Sequence, residues 1–206
     1  MDNRVTYNGS KKGATSNMTG SSDQIEITLS NYQTFYSIAY RHYRQMEQLV
    51  AERDQRIVRN DEDIDFVCRK NAAIQWSAMV TVIFSALALE AFINHYGIER
   101  SSHSFFDGHL DKLNPVSKWL ILPKLAVGQQ LSTGGDSYTL LKELFKLRDK
   151  LVHYKTRKMR ICDLREDDWV TEKHARDANR AVNQLVHVSL SRPMVIRSVV
   201  CLDRSI

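Results

Sequence analysis

A long stretch without charged side chains most constrains what this chain can fold into. No Asp, Glu, Lys or Arg occurs from Asn71 to Leu89, and this run approaches the length of about 20 residues that crosses a membrane. Polar side chains are nevertheless spread along it: Asn71, Gln75, Ser77, Thr81 and Ser85. Membrane helices carry few such groups, whereas a helix that is apolar all round is typical of a protein core. The stretch therefore predicts a buried central helix in a soluble protein, with no membrane contact.

The remaining sequence favours further helices around the central one. Only three prolines and eight glycines interrupt 206 residues, and this composition allows long helices more readily than many short strands. We expect the central helix to end at Gly97 as its C-cap and Pro123 to interrupt a later short helix. Apolar spacing and capping residues predict helices over residues 30–59, 64–96, 116–127, 138–156 and 171–190, with loops over 101–115 and 129–136. The predicted fold class is all-α, with four long helices and one short accessory helix.

Both ends of the chain differ from this helical pattern. Residues 1–24 are rich in Gly, Ser, Asn, Thr and Lys and predict a disordered N-terminal tail, which leaves 25–206 as a single domain. Ile25, Ile27 and Leu29 alternate with polar residues, and the segment 194–202 is rich in Val and Ile. Both patterns are typical of short strands. We expect the two segments to pair as a short terminal β-ribbon beside the helices.

Charge and cysteine content bear on partners and compartment. The chain carries 29 Lys and Arg against 24 Asp and Glu, a net charge of +5, and much of the excess lies between residues 146 and 160. That basic run is either a solvated helix face or a surface that faces phosphates, and charge alone decides neither. The three cysteines form no CxxC pair, and residues 1–23 contain no hydrophobic signal segment. We therefore expect reduced thiols and a cytoplasmic location.

The predicted helix over residues 138–156 carries the most informative pattern. Its leucines, together with Phe145 and Val152, cover about half of the helix circumference when successive residues are about 100° apart. An arc of that width exceeds one packing surface, so it predicts a second contact, for which a second subunit is the candidate. Arg148 falls inside the apolar arc. His153, five positions later, points about 140° away from Arg148 around the helix axis.

Both residues have ordinary structural explanations. An arginine in an apolar stripe needs a carboxylate partner because an unpaired buried charge is too costly, and Glu90 of the central helix is the candidate partner. His153 is then a surface histidine near a helix C-terminus, where its cation is mildly favoured. Glu90 and Asn94 lie one turn apart on the same helix face. They form either a polar patch or a support that positions Arg148.

Seven residues of this helix resemble the motif of HEPN domains: Leu147-Arg148-Asp149-Lys150-Leu151-Val152-His153. In that motif an arginine and a polar residue precede a short variable stretch and a histidine. The segment from Ser85 to Asn94 also resembles the helix that precedes the motif in the family, and Lys118-Trp119 lies between the two. The resemblance covers residues 31–190. It implies an antiparallel four-helix bundle that forms a homodimer, with the motifs of both subunits lining one cleft.

Many members of that family are metal-independent endoribonucleases, and the resemblance implies the same function here. Cleavage would proceed by attack of the RNA 2′-OH on the adjacent phosphorus, with Arg148 and His153 as the catalytic residues. We expect no metal and no cofactor. The remaining site residues are expected to be Asp149, Glu90 and Asn94 as supports and Lys150 and Lys155 as RNA-binding residues.

The resemblance also implies a biological setting, and one alternative function stays open. A toxin or an antiviral defence factor is expected, with RNA as the substrate and an antitoxin or regulatory protein as a further partner. The alternative is a noncatalytic helical module that keeps the fold and binds a partner protein or a nucleotide. An intact motif from Arg148 to His153 favours the enzyme, since an inactive module has no need to retain both residues.

Overall fold

A computed structural model describes residues 30–58, 63–153 and 169–190 of the chain. Within these ranges no strand occurs, so the prediction of an all-α protein is confirmed. The predicted tail, both predicted strand segments and Lys155 lie outside the described residues. The helices are α1 (Tyr32–Val58), α2 (Ile64–Arg100), α3 (His103–Phe105), a π-helix (Phe106–Leu110), α4 (Pro115–Val127), α5 (Asp136–Val152) and α6 (Glu172–Leu190).

Helix α2 lies at the centre of the described part of the molecule. It is 37 residues long and packs against α1, α4, α5 and α6. Within its uncharged stretch the buried Thr81 hydroxyl is satisfied inside the helix, since Oγ1 donates to the carbonyl of Ser77 over 2.8 Å. By length and composition α2 also suits a membrane span, and 56% of its most apolar window is buried inside the molecule. The predicted buried central helix is thus confirmed as the element around which the others pack.

The hydrophobic core joins α2 to its neighbours through aromatic side chains. Phe92 is fully buried and stacks on Trp119 of α4 with ring centroids 5.8 Å apart. The ring of Tyr32, at the start of α1, forms a T-shaped pair with the same phenylalanine ring, with centroids 5.4 Å apart. Burying a side chain of this size contributes about 1.5–3 kcal/mol, and each ring pair adds about 0.5–1.5 kcal/mol. Helices α1 and α4 are therefore fixed against the C-terminal part of α2, beside Glu90 and Asn94.

Helix α2 does not end at Gly97, contrary to the prediction. The helix continues for another turn to Arg100, and Ser101 is its C-cap. A Cβ atom on Gly97 would lie 2.5 Å from Cε2 of Phe106 and 3.0 Å from Cδ1 of Leu122. The glycine is therefore present because the π-helix and α4 approach the backbone closely, and not because the helix stops there.

The predicted loop over residues 101–115 and the predicted interruption at Pro123 are also wrong. Ser102 caps α3 by accepting from the backbone N–H of Phe105, and the following π-helix buries Phe106 and Leu110. Burial of these two apolar side chains stabilises a short helical segment that has no periodic pattern. Pro123 lies inside α4, which runs unbroken to Val127, and the buried side chains of this helix, Lys118, Trp119 and Leu122, all precede the proline.

Candidate functional site

Helix α5 places the predicted catalytic residues. Its apolar side chains Leu140, Leu141, Leu144 and Phe145 are buried in the core. Val152 at its C-terminal end is 55% exposed. The wide apolar arc is therefore divided between the protein's own core and an exposed edge at Val152. Phe145 belongs to the first part and offers no surface to a second subunit.

Arg148 is held against α2 by an ion pair. Its Nη2 donates to Oε2 of Glu90 over 3.1 Å, and its Nη1 lies 3.3 Å from Oδ1 of Asp149. The guanidinium also lies over the ring of Phe145, 5.3 Å from the centroid. The Arg148 and Glu90 side chains are 20% and 32% exposed. Two of the predicted supporting residues, Glu90 and Asp149, are thus in direct contact with Arg148.

Asn94, the third predicted supporting residue, holds a different cation. Its Oδ1 accepts a hydrogen bond of 2.9 Å from Nζ of Lys118, a lysine of α4 whose side chain is only 3% exposed. The same ammonium lies 5.3 Å from the ring centroid of Phe106 and 3.9 Å from Oδ1 of Asp111. Burial lowers the pKa of Lys118 below the ordinary lysine value, while Asp111 and Glu90 oppose that shift.

These contacts form one polar cluster at the junction of three helices. Glu90 and Asn94, one turn apart on α2, each bind a cation, Arg148 from α5 and Lys118 from α4. Lys118 is a residue of this cluster that the sequence pattern did not predict. Its position in the apolar run of α4 was the available indication, since a lysine is almost never fully buried unless it is paired.

His153 lies apart from this cluster. It is the C-cap residue of α5, its backbone N–H donates to the carbonyl of Asp149 over 2.9 Å, and its side chain is exposed. Along α5, His153 follows Lys146 and Lys150 at i+7 and i+3, spacings that share one helix face. Arg148 faces α2 instead, and no hydrogen bond or ion pair joins Arg148 to His153 within the described ranges.

An open groove of about 790 Å³ runs between α5 and α6 on the side of Lys146 and Lys150. We call it the α5–α6 groove. The side chains that line it are Asp136, Thr139, Leu140, Glu143, Leu144, Lys146, Leu147, Lys150, Lys173, His174, Asp177, Ala178 and Arg180. His174 is oriented at Nδ1, which accepts from the backbone N–H of Thr171 over 3.0 Å.

Possible metal ligands and similarity to known proteins both bear on the site. Among residues 30–58, 63–153 and 169–190, no group of three or more His, Cys, Asp or Glu side chains is arranged to hold a metal ion. Comparison of the chain with protein-family models, curated proteins and solved structures gives no match. The resemblance to HEPN domains therefore depends on the motif residues and on the helices that carry them.

Proposed function

We propose that this protein is a metal-independent endoribonuclease of the HEPN type. The observation that carries the proposal is the contact between Arg148 and Glu90 near the end of α5, with His153 exposed five positions later. The proposed fold is the antiparallel four-helix bundle of that family, built from α1, α2, α5 and α6. An arginine fixed by a carboxylate and an exposed histidine are two residue types that suit metal-free cleavage of RNA.

The proposed reaction is an intramolecular transesterification at one phosphodiester of the RNA. The 2′-OH attacks the adjacent phosphorus, the bond to the 5′-oxygen of the next nucleotide breaks, and a proton moves from the 2′-OH to the leaving oxygen overall. His153 takes or donates that proton, since imidazole titrates near neutral pH. Arg148 stabilises the charge on the phosphoryl oxygens through its N–H donors. The products are a 2′,3′-cyclic phosphate and a 5′-OH.

The separation of Arg148 and His153 within one chain makes a homodimer part of the proposal. The two side chains point to different faces of α5, so one copy does not bring them together. A second copy that packs against the exposed edge at Val152 would set Arg148 opposite His153 of the partner subunit in a shared cleft. Val152 is the exposed apolar residue next to the histidine, and its burial would favour that contact.

The proposed role is that of a toxin or an antiviral defence factor that acts on RNA in the cytoplasm. Glu90 and Asp149 position Arg148, and Lys150 and Lys155 bind RNA beside His153. An antitoxin or other regulatory protein is the proposed partner, because uncontrolled RNA cleavage harms the cell that produces it. No metal or cofactor takes part in the proposed mechanism.

One observation favours the alternative of a noncatalytic interaction module. Two carboxylates, those of Glu90 and Asp149, already contact Arg148. An arginine whose charge is balanced in this way is explained by a structural ion pair between α5 and α2, without a catalytic role. In that case the exposed histidine has no catalytic partner, and the protein acts by binding another protein or a nucleotide.

Incubation of the full chain with single-stranded RNA in EDTA tests the proposal. We expect cleavage of RNA but not of DNA, because only RNA has the 2′-OH nucleophile. His153→Ala should lower the rate by about 10²-fold or more through lost proton transfer. Arg148→Ala should lower it by about 10²-fold through lost charge stabilisation, and Arg148→Lys should restore little because it lacks the planar fork.

The control for His153 is His109, an exposed histidine of the π-helix. His109→Ala should cleave RNA at the wild-type rate, and circular dichroism and light scattering should show that all variants remain folded and in the same oligomeric state. Unchanged cleavage in His153→Ala, or a strict need for added Mg²⁺, would refute the mechanism. No cleavage of any RNA by the wild type would support the noncatalytic module instead.

A further inference from the structure

The α5–α6 groove has an acidic end and a basic end. Ser137 at the start of α5 donates to Gln184 in the second half of α6, whereas Lys150 near the end of α5 shares the groove with Lys173 in the first turn of α6. The two helices therefore run antiparallel. At that end Arg180 lies between carboxylates, 3.7 Å from Asp136 and 3.3 Å from Asp177. Its charge is thereby balanced by the acids beside it. The opposite end, towards the C-terminus of α5, is lined by Lys146, Lys150 and Lys173. Glu143 also lines the groove, 3.5 Å from Lys146, so the three lysines there outnumber the single carboxylate.

The basic end of the groove leads towards His153. Lys146, Lys150 and His153 fall within about 60° of one another around α5, at about 100° per residue. Their Cα positions are about 6 Å and about 4.5 Å apart along the helix axis. Lys173 faces them from the first turn of α6. Three lysines therefore line the groove, and His153 follows about one turn beyond Lys150 on the same face of α5.

The floor of the groove is apolar. Leu144, Leu147 and Ala178 line it between the charged side chains. Cations that flank an apolar floor match a single nucleic-acid strand, whose phosphates are charged and whose bases have apolar faces. No Phe, Tyr or Trp is among the described residues that line the groove, and His174 supplies the imidazole ring there, so stacking on large aromatic rings contributes little. Binding should depend mainly on the phosphates.

We infer that the basic end of the α5–α6 groove binds the phosphates of single-stranded RNA and leads the strand to His153. This inference rests on the proposed function for the catalytic role of His153. It extends the RNA-binding surface to Lys146 and Lys173. The strand lies along the lysines of α5, with Lys173 of α6 opposite them. Recognition is of the sugar-phosphate backbone and tolerates any base sequence.

Fluorescence anisotropy with a labelled single-stranded oligoribonucleotide tests the groove. All proteins carry His153→Ala, so that cleavage does not deplete the probe. Replacing both Lys146 and Lys173 by Gln should weaken RNA binding by about 10-fold or more at low salt. Each lost phosphate contact lowers the slope of log K against log[salt] by about 0.7, so the double variant should lose about 1.4 of that slope. Both side chains are exposed, so the variant should fold normally.

The matched control is the double variant Lys112→Gln with Lys124→Gln. Both of these lysines are exposed and lie outside the groove, and the change in net charge is the same. The control should bind RNA with nearly wild-type affinity and salt dependence. Equal losses in the two double variants would overturn the inference, because net charge alone would then explain them.

Two further arms separate this inference from its alternatives. A single-stranded DNA of the same sequence should bind with the same dependence on Lys146 and Lys173, since the phosphates are common to both polymers. An acidic peptide that binds these lysines more tightly than RNA does would overturn the assignment to RNA. If the wild type binds RNA through the groove but cleaves none, the groove stands and the proposed enzymatic function fails. If it cleaves RNA with no dependence on the groove lysines, only the groove assignment fails.

Discussion

The ion pair between Arg148 and Glu90 should contribute measurably to folding, and a double-mutant cycle can isolate its contribution. The cycle compares Glu90→Ala, Arg148→Ala and the double variant with the wild type. Because the pair joins α5 to α2 over 3.1 Å, each single replacement leaves a charged partner without its counter-charge. The two single losses should therefore sum to more than the loss in the double variant.

The expected coupling follows from the geometry and exposure of the pair. A hydrogen bond to a charged group contributes about 1.5–3 kcal/mol in a protected site, whereas an exposed ion pair contributes about 0.2–1 kcal/mol. The Arg148 and Glu90 side chains are 20% and 32% exposed, between these two cases. We expect a coupling free energy of about 1.5 kcal/mol. The pair between Arg176 and Glu47 is the matched control, since its side chains are 46% and 35% exposed, and about 0.5 kcal/mol is expected there.

Urea denaturation followed by circular dichroism provides the assay. Urea is uncharged and does not screen the ion pair as guanidinium chloride does. The free energies of unfolding of the four proteins in each cycle give the two coupling energies directly. A coupling at Arg148 no larger than that at the control pair would refute the reasoning. Arg148 would then be a surface arginine that Glu90 does not fix in place.

Two other predictions concern the neighbouring elements. Gly97→Ala should lower Tm by roughly 5 °C, because the added Cβ clashes with Phe106 at a cost of about 2 kcal/mol. Gly108→Ala is the control and should not lower Tm, since a Cβ there meets no atom within 4 Å. Equal effects of the two variants in calorimetry would contradict the packing explanation. Lys118→Met should change the pH dependence of unfolding in urea. Because burial lowers the folded-state pKa of Lys118, the unfolded chain binds more protons between that pKa and the ordinary value of 10.5. Wild-type stability should therefore rise relative to the variant as pH increases through that window, and a constant difference from neutral pH to about pH 10 would refute it.

The long helices could be predicted from sequence because their patterns are local. Helix α1 begins and ends within two residues of the predicted range, and α6 within one. The pairing of Arg148 with Glu90 was also predictable as a structural alternative. It required only that an arginine inside an apolar stripe have a carboxylate partner, and few acids lie on the central helix.

The errors arose where contacts distant in sequence decide the structure. Gly97 has the residue type of a C-cap, but the ring of Phe106 packs against it and the helix continues. The π-helix forms because its two apolar residues are buried, and a local pattern does not contain that information. Lys118 was missed because its partner Asn94 is 24 residues away. Its effect on the site depends on a contact that helical spacing does not encode.

The two carboxylates beside Arg148 do not by themselves exclude a catalytic role. A guanidinium has five N–H donors, and the contacts to Glu90 and Asp149 use one terminal nitrogen each. Each terminal nitrogen carries two hydrogens, so each keeps one further donor. The two remaining donors are the number that a bidentate phosphate contact needs. Nε is buried without a hydrogen-bond partner and contributes no donor to solvent. The ion pair therefore restricts the orientation of the guanidinium and leaves two N–H donors unused, which is compatible with the phosphate contact proposed for Arg148.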